Sequence, residues 1–139
     1  MFEMDPNFWA TQQTLVFAYS RKGQYQDALT AAQKGLELSG RSNAALAQMG
    51  FALGKLGRSE EAKAILKELE TKFEAKTADA RDIADVYTGL GEKDKAFEWL
   101  EKGFRYRSFN IAGLTLDPLL DPLSDDPRWG DMLRRVGLR

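Results

Sequence analysis

Gly23-Gln24-Tyr25-Gln26-Asp27-Ala28, Gly57-Arg58-Ser59-Glu60-Glu61-Ala62 and Gly91-Glu92-Lys93-Asp94-Lys95-Ala96 are three versions of one hexapeptide. Their glycines, and likewise their alanines, recur every 34 residues without insertion. A repeat of this length accommodates two antiparallel helices joined by a tight turn. The glycine ends the first helix where a Cβ is unwelcome, and the alanine five residues on lets the second helix approach the first closely. One such pair cannot bury its own apolar face, so tandem pairs stack.

With each glycine placed at the same repeat position, the units fall at 9–42, 43–76 and 77–110. In this phase the chain resembles the tetratricopeptide repeat (TPR) family. The family's large-residue positions hold Leu15 and Tyr19 in the first unit, Leu46, Met49, Leu53 and Leu66 in the second, and Ile83, Tyr87 and Leu100 in the third. Ala32 stands at the remaining such position of the first unit; departures are Gln12 and Ala80 where a bulky residue is usual, and Val16 where a small residue is typical. The resemblance implies an all-α, right-handed α-solenoid of three helix-turn-helix repeats closed by a C-terminal capping helix.

Composition excludes several function classes. Lys plus Arg number 20 and Asp plus Glu 21, so no global field draws the chain to nucleic acid or to an acidic membrane. The chain has no Cys and no His, which removes disulfides, thiolate nucleophiles, imidazole bases and the usual zinc ligands. It lacks a secretory signal pattern and an 18-residue apolar run, so a cytoplasmic setting is expected. No phosphate-cradling glycine loop is present, and no cofactor or catalytic activity is expected.

Two readings of residues 1–8 stand. Continuing the phase backwards puts Pro6 at the family's terminal proline position, which makes Met1 to Met4 the last turn of a preceding repeat and the chain a C-terminal piece of a longer protein. The alternative is a short N-terminal cap. In both, Asp5 caps the next helix with Pro6 in its first turn.

The expected helices are 6–21, 25–38, 43–56, 60–73, 78–90 and 93–107. Ser42 and Ser59 are read as N-caps and Thr77 as the opening of the fifth helix, while Glu60 and Glu61 favour the positive end of the fourth. From Ser108 the chain is read as leaving the repeat pattern, with Asp117-Pro118, Asp121-Pro122 and Asp126-Pro127 as cap-and-turn punctuation across a linker in 111–139. A last helix over 127–136 has Trp129, Met132, Leu133 and Val136 on one face, with Gly137 as its C-cap. This tail looks like the terminal segment of bacterial multidomain TPR proteins.

The resemblance places the ligand surface on the concave side, along the first helix of each repeat. Those positions hold Gln13, Phe17 and Arg21, then Ala47, Phe51 and Lys55, then Arg81 and Asp85. Phe17 and Phe51 share one repeat position and form an apolar strip edged by Arg21, Lys55 and Arg81. Such a strip takes a peptide or helix of a partner protein with some acidic character. The competing reading has both rings turned into helix interfaces or covered by the protein itself. Gln13 and Phe17 stand where the chaperone-tail-binding members carry Lys and Asn, so a carboxylate clamp is rejected.

Two other clusters take plain readings. Lys102, Arg105 and Arg107 among Phe104, Tyr106 and Phe109 complement a helix C-terminus rather than mark a nucleic-acid site, and Asp117, Asp121, Asp125 and Asp126 are turn and cap residues rather than metal ligands. The expected function is non-catalytic protein-protein interaction. The alternative is a regulatory or self-assembly domain of a larger bacterial signalling protein, acting in cis or as a homo-oligomer through the N-terminal edge.

Overall fold

The computed structural model describes residues 9–106 and 118–137. The expectations for residues 1–8, for Arg107, Phe109 and Asp117, and for the chain end at Arg139 lie outside the described residues. Among those described, the secondary structure is entirely helical: α1 (Trp9–Arg21), α2 (Tyr25–Leu38), α3 (Asn43–Lys55), α4 (Ser59–Glu74), α5 (Ala80–Leu90), α6 (Lys93–Tyr106), a 3-10 segment (Pro118–Leu123) and α7 (Pro127–Gly137). The helices stack as an α-solenoid.

The hexapeptide does in each unit what its chemistry requires. Gly23, Gly57 and Gly91 adopt φ of 75°, 80° and 80°, and a Cβ on any of them would meet nothing within 4 Å. The glycine is therefore demanded by backbone conformation and not by lack of space. Its N–H donates to the carbonyl of Ser20, Gly54 or Thr88, and the next N–H donates to Tyr19, Leu53 or Tyr87, at 2.9–3.1 Å. These paired bonds close a Schellman turn at the end of each first helix. Five residues after each glycine, Ala28, Ala62 and Ala96 are fully buried, with their N–H groups bonded to the carbonyls of Gln24, Arg58 and Glu92.

Helix starts depart from expectation at two points. Ser42 caps α3 by accepting from the Ala45 N–H at 3.2 Å, as read from the sequence. Ser59, however, is already the first residue of α4, and Arg58 is the N-cap with no side-chain cap bond. The Schellman turn delivers the chain directly into the helix one residue early, and Arg58 instead reaches forward to Glu61 at 2.8 Å. Likewise α5 begins at Ala80, capped by Asp79, whose carboxylate accepts from the Arg81 N–H at 3.1 Å. Thr77 belongs to the preceding turn and donates to the Lys72 carbonyl.

One continuous core runs the length of the stack, from Val16 and Leu29 through Leu46, Leu53, Ile65 and Leu69 to Ile83, Leu100 and Met132. Between the second and third units the Phe73 and Trp99 rings meet edge-on, 5.1 Å between centroids.

The tail does not leave the repeat register. Helices α2, α4, α6 and α7 begin at residues 25, 59, 93 and 127, each 34 after the last, and Gly130 stands where Ala28, Ala62 and Ala96 stand before it. Arg128 donates to Asp94 at 2.9 Å and Arg135 to Glu101, both pairs again 34 residues apart. α7 is thus the second helix of a fourth, degenerate unit and lies parallel to α6. Over Pro118–Leu123 the chain is 3-10 rather than α-helical, with Pro122 inside the segment unable to donate to an α-helical ladder.

Candidate binding groove on the concave face

The first helices of the three repeats, α1, α3 and α5, line the concave side, but they are not evenly spaced. α3 and α5 touch backbone to backbone: a Cβ on Gly89 would lie 2.4 Å from the Phe51 carbonyl oxygen, and one on Gly54 would lie 2.6 Å from the Gly89 carbonyl carbon. One repeat earlier, the same two register positions carry Ser20 and Lys55. Side chains now stand where Gly54 and Gly89 have none, and α1 meets α3 at few points. The opening between them is a pocket of about 300 Å³ lined by Ser20, Arg21, Tyr25 and Phe51.

The opposite wall of that pocket comes from the tail. Pro118, Asp121 and Pro122 of the 3-10 segment face it, and the segment packs on both α1 and α5. Leu119, Leu120 and Leu123 are buried, the last two within the continuous core and Leu119 outside it. Asp121 lies 3.7 Å from the Arg21 guanidinium, an exposed pair that orients the segment more than it stabilises it. The fourth unit's degenerate first element therefore lies across the concave face.

The eight expected groove residues separate accordingly. Arg21 and Phe51 line the pocket, and the Lys55 ammonium stands beside it, 5.8 Å from the centroids of both the Tyr25 and Phe51 rings. Phe51 is only 3% exposed and meets Tyr25 edge-on at 6.2 Å. Gln13 and Phe17 are half-buried on α1, with Phe17 packed against the core, and Arg81 is half-buried on α5. Ala47 and Asp85 are buried, at 1% and 4% exposure.

Tyr25, Pro118, Asp121 and Pro122 were not among the residues the sequence put forward. Tyr25 opens a second helix and so falls outside the family's ligand positions, yet the turn at Gly23 swings its ring over the α1–α3 opening. The signal for the other three was the phase itself, which continues past residue 110.

Elsewhere the charged clusters are structural. Asp126 caps α7, accepting from the Arg128 N–H at 2.9 Å, and the Arg128 guanidinium clasps its carboxylate, holding the acid down at about 2. Arg128 also lies over the Phe97 ring at 4.5 Å. Glu68 is held below the usual carboxylate range, chiefly by its hydrogen bonds from Arg41 at 2.7 and 2.9 Å. Lys102 lies 4.0 Å over Trp99, so it caps an aromatic of the fold. Among the described residues no group of three carboxylates is placed to hold a metal ion, and no helix is long and apolar enough to cross a membrane.

Stacked helix pairs with a 34-residue repeat define a helical-repeat solenoid. A tetratricopeptide repeat family model matches residues 1–113, and the chain belongs to that family. Tetratricopeptide repeats in general mediate protein-protein interaction. No curated protein and no solved structure matches the chain.

Proposed function

We propose that this protein is a non-catalytic, cytoplasmic interaction module that binds a short segment of a partner protein on its concave face, at the opening between α1 and α3. The observation that carries this reading is the pocket bounded by Tyr25, Phe51, Ser20 and Arg21, against which a peptide-like stretch of the chain itself is set as the facing wall. Its walls are aromatic, and Arg21 and Lys55 supply positive charge at the rim. Aromatic burial gives affinity, while the two cations orient an acidic residue of the ligand. A stacked solenoid loses little conformational freedom on binding.

Exchanging the rim charges tests this without disturbing the core. Arg21→Glu/Lys55→Glu should lose a protein that the wild-type chain captures from source-cell lysate, with helicity unchanged. Capture of an identical set by both would contradict the groove.

A second reading, a regulatory domain of a larger bacterial signalling protein engaging its ligand in cis, has one observation in its favour: the occupant of the concave face is a segment of the same chain. It requires the groove to bind an adjoining domain in place of a separate partner.

A further inference from the structure

The fourth unit is divided between two tasks. Its second helix, α7, holds the place the repeat assigns it, tied to α6 by Arg128–Asp94 and Arg135–Glu101, with Met132 buried in the core. Its first element is diverted inward, reaching from α5 across to α1.

The segment also carries the features that its site would select in a ligand. Pro118-Leu-Leu-Asp-Pro-Leu123 presents two prolines to the aromatic pocket, places one carboxylate beside Arg21, and buries three leucines. Charge complements charge, and the prolines reduce the ordering cost on docking.

We infer that Pro118–Leu123 is a resident occupant of the binding groove, and that the module exchanges it for a partner segment of the same chemistry: leucine-rich, bracketed by prolines and bearing a carboxylate for Arg21. The inference rests on the interaction reading above and adds the ligand class and its regulation. A segment held in the same chain competes at an effective concentration on the order of mM. The resident segment therefore sets a threshold. Only a partner that binds more tightly or is locally concentrated gains the groove, and whatever loosens the segment lowers that threshold.

The test uses the whole chain and a fluorescent nonapeptide, Asp-Pro-Leu-Leu-Asp-Pro-Leu-Ser-Asp, with a scrambled peptide as control. Leu119→Ala/Asp121→Lys loosens the resident segment at a leucine outside the continuous core and at an exposed acid. By fluorescence anisotropy this variant should bind the peptide at least tenfold more tightly than the wild-type chain does, and the scrambled peptide should bind to neither. A variant with wild-type helicity and no such gain would overturn the exchange. Should the variant lose helicity, amide exchange of the wild-type chain decides: the Ser124 and Asp126 amides should exchange well ahead of those in α5, whereas exchange with α5 as one unit would make the segment a fixed part of the fold. Failure of exchange alongside a partner lost only by Arg21→Glu/Lys55→Glu would leave the groove standing and remove its regulation.

Discussion

Arg128 and Asp94 are joined at 2.9 Å and stand 34 positions apart, one full repeat. The pair shows that the solenoid's register continues beyond the three obvious units, with α7 set beside α6 as α6 is set within the preceding stack. The energy of that docking resides elsewhere. Asp94 is 93% exposed in its side chain, whereas Met132 is buried in the core. Urea unfolding should therefore show Asp94→Ala costing less than about 1 kcal/mol and Met132→Ala about 2–5 kcal/mol. The reverse order would mean that α7 is held by charge.

The glycines act by two separable mechanisms, and substitution should tell them apart. Gly57 needs a left-handed backbone, which Asn tolerates better than Ala, so Gly57→Asn should be milder than Gly57→Ala, itself costing about 1–2 kcal/mol. Gly89 needs space, since its Cβ would overlap the Phe51 backbone. There Ala should cost about 1–3 kcal/mol or more and Asn more still. Thermal unfolding of the four variants checks the inversion.

Acid should weaken the start of α7 in a defined window. The Asp126 carboxyl is lowered from 3.8 to about 2 by the Arg128 side chain and backbone N–H. A depressed folded-state pKa contributes stability that is present above the unfolded value and lost as pH falls through the folded one. The contribution of Asp126 should be complete above about pH 4 and decline toward pH 2. Carbon NMR titration of this carboxyl follows it directly, and an ordinary Asp midpoint would contradict the cap. Asp126→Asn, which retains an acceptor, should flatten the pH dependence of α7 unfolding in that range.

Much of this architecture was legible in the sequence because spacing survives where residue identity does not. The 34-residue interval located six helices, and the positive-φ turn at Gly23, Gly57 and Gly91 follows from the residue type alone. Ser59 and Thr77 were misread because capping preference is local, whereas the Schellman turn fixes where the chain enters α4 and Asp79 offers a better-placed acceptor for α5. The tail was misread for a different reason. Its prolines signal loop, and the chain over 118–123 is 3-10 rather than α-helical, but a broken helix can still occupy a repeat's place. The groove was half legible: position marked Arg21, Phe51 and Lys55. Tyr25 and the occupying segment depend on the gap that Ser20 and Lys55 leave between α1 and α3, a tertiary consequence of replacing Gly54 and Gly89 one register earlier.

The occupied groove also changes which variants report on binding. Phe51 is 3% exposed, so Phe51→Glu would bury a charge beside Tyr25 and should unfold the first interface. Arg21→Glu should leave the midpoint of thermal unfolding nearly unchanged, since its ion pair with Asp121 is exposed on both sides. Circular dichroism of the two variants separates loss of fold from loss of binding.

The account turns on whether the 3-10 segment lies across the concave face in solution. A nuclear Overhauser spectrum of the whole chain measures this most directly. Cross-peaks between α1 side-chain protons and those of Pro118–Leu123 are predicted, since the segment packs on α1 and Asp121 lies 3.7 Å from the Arg21 guanidinium. Their absence, with the Phe73–Trp99 ring contacts between α4 and α6 intact, would contradict the resident segment and leave an open groove.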